Sequence, residues 1–233
     1  AESFVTKKPS AGAGGPILYT LNIIADFVGA RPISSWWMSD ADNDYLLFAD
    51  PSVLNPVHRV LYTTTVTTEQ IMTGLSQFVL EPRVNKQTGQ ASSRTVVFTF
   101  AASGCGTDRD LWTVNGAGGN VLQISSDGTR DDHDPNWISA PTSSYNGNLL
   151  YVSGPTTGSE NIYLMAGTVG SYPGTKLTFY DVATTEINSP RWCTGYDWAT
   201  EQSYDLIVFA MRTSPSDDWD LYMIDPINQM GAN

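Results

Sequence analysis

Basic residues are scarce in this chain: 12 Lys and Arg stand against 24 Asp and Glu, a formal net charge of −12. Phosphate backbones repel a surface of that sign, which excludes nucleic acid as a natural partner. An anionic lipid leaflet is disfavoured for the same reason. Cations and basic protein patches stay compatible with it. Charge of either sign is sparse too, 15% against about 25% in an average domain. There are 2 histidines, His58 and His133, too few for a His-rich metal site. The 2 cysteines, Cys105 and Cys193, form no Cys-x-x-Cys pair, so haem attachment and zinc-knuckle spacings are absent. No apolar run reaches the roughly 18 residues of a membrane-spanning helix. Gly-x-Ser-x-Gly, a P-loop and a Gly-x-Gly-x-x-Gly after a strand are all missing. Gly116-Ala117-Gly118-Gly119 lies between two strand patterns and opens no helix, so it reads as a hairpin turn, not a phosphate cradle.

What is present is strand pattern. The chain has 233 residues, 41% apolar and 11% aromatic, enough for one sizeable core. Thr, Ser, Gly and Asn carry the polarity, as suits strand surfaces and turns. Residues 1–15 end in Ala11-Gly12-Ala13-Gly14-Gly15 and read as a flexible lead-in to a folded domain over 16–233. The start at Ala1-Glu2-Ser3 suits a processed export substrate, and a secreted or periplasmic location is expected.

A unit of about 50–55 residues recurs four times. Its first mark is a proline leading into a strand: Pro32, Pro82, Pro135 and Pro190. An apolar strand follows, as in Tyr45-Leu46-Leu47-Phe48, Val96-Val97-Phe98-Thr99, Leu149-Leu150-Tyr151-Val152 and Leu206-Ile207-Val208-Phe209. The third mark is a strand with an early aromatic: Val60-Leu61-Tyr62, Asp110-Leu111-Trp112, Asn161-Ile162-Tyr163-Leu164-Met165 and Asp220-Leu221-Tyr222-Met223-Ile224. Four short strands per period are the signature of a β-propeller of four-stranded antiparallel blades. The middle strands are apolar without alternation, as expected where both faces are covered by neighbours.

Asp134-Pro135-Asn136-Trp137, Ser189-Pro190-Arg191-Trp192, Ile162-Tyr163-Leu164-Met165 and Leu221-Tyr222-Met223-Ile224-Asp225 resemble the TolB-type propeller repeat, over residues 31–225. The resemblance implies a fold more than an activity, since such propellers serve as scaffolds, glycan-active enzymes and accessory domains. The family's short turn after the Trp strand is replaced by longer segments at 38–44, 138–148 and 193–204. Four repeats are visible where the family usually has six, and the fourth lacks an outer strand. Either residues 17–21 or 23–28 supply that strand and close a four-bladed ring, or the chain is part of a larger ring completed by another chain or further residues.

Candidate sites are few. Asp40, Asp42 and Asp44 alternate through one turn, an oxygen-rich arrangement compatible with Ca²⁺ though short of a full EF-hand loop. Asp131, Asp132 and His133 form a cluster found in no other repeat. The resemblance places it in a loop at the channel mouth, where it would bind a ligand or divalent metal. Trp198 and Trp219 fall in predicted loops and are candidate sugar-stacking platforms, while Trp137 and Trp192 hold one repeat position and are expected in the core. Asp26, Asp131, Asp134 and Glu186 fall near repeat junctions and make a glycosidase carboxylate pair conceivable. In a four-bladed ring Cys105 and Cys193 lie in opposite blades, beyond the roughly 7 Å disulfide limit, so both are expected free. The leading functional expectation is a non-enzymatic scaffold with a protein partner. The alternatives are a glycan-binding or glycan-active propeller, and an accessory domain of a larger assembly.

Overall fold

The computed structural model describes residues 33–39, 44–49, 57–61, 67–70, 78–85, 95–101, 108–115, 120–155 and 158–226. Each element is a β-strand, and the strands form four antiparallel sheets in chain order. The first holds β1 (Ile33–Ser39), β2 (Asp44–Ala49), β3 (Val57–Leu61) and β4 (Thr67–Gln70). The second holds β5 (Phe78–Val84), β6 (Thr95–Ala101), β7 (Arg109–Asn115) and β8 (Leu122–Gln123). The third holds β9 (Arg130–Trp137), β10 (Leu149–Pro155), β11 (Asn161–Met165) and β12 (Thr175–Lys176). The fourth has three strands, β13 (Glu186–Asp197), β14 (Gln202–Arg212) and β15 (Asp220–Ile224). The four sequence repeats are therefore four sheets. Their first strands pack in succession, β1 on β5, β5 on β9 and β9 on β13. Among the described residues the sheets do not close into a ring. The strands expected at 17–21 and 23–28, and the lead-in at 1–15, lie outside the described residues.

Every first strand carries a bulge at one place. The register slips between Ile33 and Trp36, Leu80 and Arg83, His133 and Asn136, and Asn188 and Arg191. The inserted pairs are Ser34-Ser35, Glu81-Pro82, Asp134-Pro135 and Ser189-Pro190. Proline has no N–H for the ladder, so a bulge is one of the few strand positions it can occupy. Asp134 and Ser189 adopt φ of 50° and 51°, the left-handed region where short polar residues are tolerated. This register corrects the expected repeat in its first copy. The counterpart of Pro135 is Ser35, and Pro32 precedes the strand.

The third sheet is buried on both faces. Leu149, Tyr151, Tyr163 and Met165 pack with Val97, Leu111 and Ile124 of the second sheet. Leu150, Val152, Ile162 and Leu164 pack with Ile187, Ile207, Phe209 and Met211 of the fourth. That is why β10 and β11 read as unbroken apolar runs. Each fully buried side chain contributes about 1.5–3 kcal/mol. Trp137 closes the first of these cores, and Gly167, at φ 69°, sits beneath its ring. A Cβ at Gly167 would lie 2.5 Å from the indole, so only glycine fits. Trp192 packs at the edge of the other core and donates its indole N–H to Asp205 Oδ1 at 3.0 Å. The segment 193–204, expected as a long loop, is mostly ladder: β13 and β14 stay paired out to Asp197 and Gln202. Cys193 is an exposed free thiol, and Cys105 lies outside the described residues.

Candidate functional site

Asp131, Asp132 and His133 lie on β9 and are buried, with Asp134 beside them. This corrects the expectation of a loop at a channel mouth. Four consecutive polar residues sit on an inner strand because three of them find partners at the sheet junctions. Arg109, at the start of β7 in the second sheet, donates Nε and a terminal N–H to the two Asp131 oxygens at 2.8 and 2.5 Å. Its backbone N–H adds a third bond at 2.9 Å. Burial opposes ionisation of Asp131, but the bonds and charge of Arg109 outweigh it and hold the carboxyl below its ordinary range.

His133 shares this face of β9 with Asp131 and reaches toward the fourth sheet. Its Nε2 lies 3.0 Å from Glu160 Oε1 and its Nδ1 lies 3.4 Å from Asp134 Oδ2. Burial disfavours an imidazolium, yet the two carboxylates prevail and raise its pKa to about 9. His133 is thus a buried cation between two anions at neutral pH. Both carboxylates reach on to the fourth sheet. Glu160 Oε2 accepts the Ile187 N–H at 2.5 Å, and Asp134 Oδ2 accepts the Ser189 N–H at 3.1 Å. The bulge of β9 is bonded in this way to the bulge of β13.

A cavity of about 330 Å³ opens beside this network, lined in part by Arg109, Asp131, Glu160, Thr184, Glu186 and Pro215. One ligand atom each from Asp131, His133 and Glu160 falls within 4.8 Å of the others, a constellation that could hold a metal. Its donors are already engaged, Asp131 by Arg109 and His133 by its second proton. Metal ligation needs a neutral imidazole. A metal here would have to displace both cations, and the arrangement fits an ion-pair clamp better. The carboxylates considered for glycoside hydrolysis are similarly occupied. Glu186 accepts two bonds from Arg212, at 2.6 and 3.0 Å. Asp26 lies outside the described residues.

The two tryptophans do not form one platform. Trp198 is 85% exposed in the turn from β13 to β14, with Tyr196 edge-on at 4.7 Å. That turn is built by Asp197, which accepts bonds from the Ala199 N–H and the Thr200 hydroxyl. Trp219 precedes β15, and the Arg212 guanidinium lies 4.7 Å from its ring centre. Arg212 pairs with Glu186 at the end of the β13–β14 ladder opposite Asp197 and Gln202. The two indoles are therefore at opposite ends of the hairpin, about 30 Å apart at 3.3 Å per residue. Ser39 pairs with Asp44 across the β1–β2 turn. Asp40, Asp42 and the side chain of Asp44, the candidate calcium ligands, lie outside the described residues. Sequence reasoning missed Arg109 and Glu160, which carry no motif. Their only signal is a position just before Asp110 and Asn161, the residues that open the third mark of the repeat.

No family model matches this chain, and no curated protein matches it. Among solved structures, the Bacteroides ovatus protein titled xyloglucan PUL GH43B is similar at 13% identity with a TM-score of 0.44. The alignment covers 83% of this chain and 41% of that one, so the chain spans less than half of that protein's length.

Proposed function

We propose that this protein is a non-enzymatic, TolB-like β-propeller module of the cell exterior or periplasm, acting as a scaffold for a protein partner. The observation that carries this reading is the outward face of the fourth sheet. Ile207, Phe209 and Met211 of β14 face the third sheet and are buried. The opposite face of the same strands presents Leu221, 78% exposed, and Met223, 64% exposed, paired with Ala210 and Val208. Contiguous exposed apolar surface marks a docking site. Among the described residues no strand pairs with the outer edge of β15, and an open edge invites pairing. The acidic groups of the candidate site are spent on holding sheets together, which favours binding over catalysis. In a propeller the occupant of such a face is the next blade, supplied by another chain or by further residues. A photo-cross-linker placed at 221 or 223 in cells should give discrete protein adducts, with little at Thr129, an exposed position in the turn between the second and third sheets. Equal labelling at all three positions would sink the scaffold reading.

A second reading, glycan binding, is favoured by Trp198 and Tyr196, an exposed aromatic pair of the kind that stacks on sugar rings. Trp219 suits this less, because Arg212 covers its ring. A glycan array separates the two readings. Binding that disappears in Trp198→Ala supports the second, and absence of any bound glycan rejects it.

A further inference from the structure

Asp132 is the one member of the β9 cluster that the clamp does not use. It is fully buried, and neither carboxylate oxygen has a hydrogen-bond partner among the described residues. An isolated buried carboxylate is costly, and such groups are normally paired or bound to a metal. Its surroundings are oxygen-rich. Ser153 stands directly opposite on β10. The hydroxyls of Ser153, Ser125 and Tyr172 lie near enough to favour its charge, although burial dominates and raises its pKa. The Tyr172 hydroxyl is itself buried and makes no hydrogen bond of ordinary geometry among the described residues. Ser125 Oγ lies 3.4 Å from Asp110 Oδ1, which brings a second carboxylate into the group. Asp110 is pushed up to about 6, first by burial and then by the charge of Asp132. Asp110 and Asp132 thus flank Ser125, with Gln123 donating to Asp110 Oδ2 at 2.9 Å and Arg130 as the nearby cation. Arg130 donates Nε to Ser153 Oγ at 2.9 Å and lies over the Tyr163 ring.

We propose that Asp132, Asp110, Ser125, Ser153 and Tyr172 form a buried site for a hard cation, Ca²⁺ by preference, between the second and third sheets. The donor chemistry selects the ion. All the donors are oxygen, which excludes the borderline metals that prefer imidazole or thiolate. Mg²⁺ sheds its water shell reluctantly and suits a wet octahedral site, whereas Ca²⁺ accepts irregular sets of carboxylate and neutral oxygens. Asp110 is only partly buried, at the more solvent-exposed side of the group. The site is separate from the Asp131–His133–Glu160 clamp, because Asp132 points to the other face of β9. It also differs from the acidic turn at 40–44.

The test is thermal unfolding of the full chain after chelation, with Ca²⁺, Mg²⁺ or Na⁺ added back, together with equilibrium dialysis for stoichiometry. In about hundredfold excess over its Kd, Ca²⁺ should raise Tm by roughly 5–10 °C, and Mg²⁺ by much less. Asp132→Asn should abolish the shift while unfolding at or above the Tm of the calcium-free wild type. Asp110→Asn, which changes a half-buried group, should weaken Ca²⁺ binding at least tenfold and serves if Asp132→Asn does not fold. No calcium response in the wild type overturns the proposal. A response that survives in both variants overturns it as well. So does one lost only in Asp42→Asn, which would assign the ion to the acidic turn.

Discussion

Asn161–Met165 and Asp220–Ile224 are the same strand written twice, and they meet opposite fates. Asn-Ile-Tyr-Leu-Met is buried at all five positions. Asp-Leu-Tyr-Met-Ile is exposed at all but the last, which is partly buried. The corresponding faces agree in direction. Tyr222 stacks on Phe209 with ring centres 5.8 Å apart, and Ile224 packs against the core shared with the third sheet. Leu221 and Met223 point where Ile162 and Leu164 point in the third sheet. There, Ile187 and Ile207 of the next sheet cover them. The edge differs as well. Asn161 Oδ1 accepts the Thr178 hydroxyl and the Tyr180 N–H, tying β11 to the chain that follows it. The same strand chemistry therefore yields a core element or an exposed apolar face, depending on whether another sheet lies against it.

The sharpest way to break this comparison is to truncate matching side chains. Ile162→Ala removes a fully buried residue and should cost about 2–5 kcal/mol. Leu221→Ala, at the same repeat position, should stay within about 0.5 kcal/mol in the isolated chain. Urea denaturation of both variants measures the difference. Similar losses would mean that Leu221 is covered in solution, by a second copy or by another part of the chain.

The junction that covers Ile162 is also predicted to be pH-sensitive. The pKa of His133 is raised from 6.5 to about 9 in the folded state. A raised pKa contributes stability that is fully present below about 6.5 and is lost as pH climbs through about 9. Its ceiling is on the order of 3 kcal/mol. Other groups titrate in that window, so the informative quantity is the difference between wild type and Glu160→Gln. The variant removes one of the two anions facing the imidazolium. Its urea midpoint should fall less than the wild type's between pH 6.5 and 9. Parallel pH profiles would show that the clamp does not stabilise the fold.

The sheets were legible in the sequence because covered strands leave a local trace. Leu149-Leu150-Tyr151-Val152 cannot alternate when both faces are buried, and Asp134-Pro135 and Ser189-Pro190 mark bulges that proline requires. The partners of Asp131 and His133 left no trace. Arg109 is 22 residues from Asp131, and Glu160 is 27 from His133. Which of many charges meet is decided by how the sheets stack, a non-local outcome. The resemblance misplaced Asp131, Asp132 and His133 in a loop, since a repeat pattern marks the apolar part of a strand and not how far its polar start extends the ladder. The first repeat mark slipped, with Pro32 taken for Ser35, because proline signals a break without saying on which side of the bulge it falls.

The smallest predicted contrast is between two arginines that look alike. Arg109 and Arg212 each make a forked contact with a carboxylate. Arg109 bridges two sheets and its partner Asp131 is buried, so Arg109→Met strands a carboxylate at the interface. A fully buried broken pair costs about 3–5 kcal/mol. Arg109 keeps some exposure, which lowers the expectation to about 2 kcal/mol. Arg212 and Glu186 face each other across one hairpin, with more of both side chains in solvent. Exposed pairs are worth about 0–1 kcal/mol, and Met retains part of the packing on Trp219, so Arg212→Met should cost less than 1 kcal/mol. Equal costs would indicate that the Glu186–Arg212–Trp219 end of the fourth sheet is covered in solution. The unoccupied face would then be narrower than Leu221 and Met223 suggest.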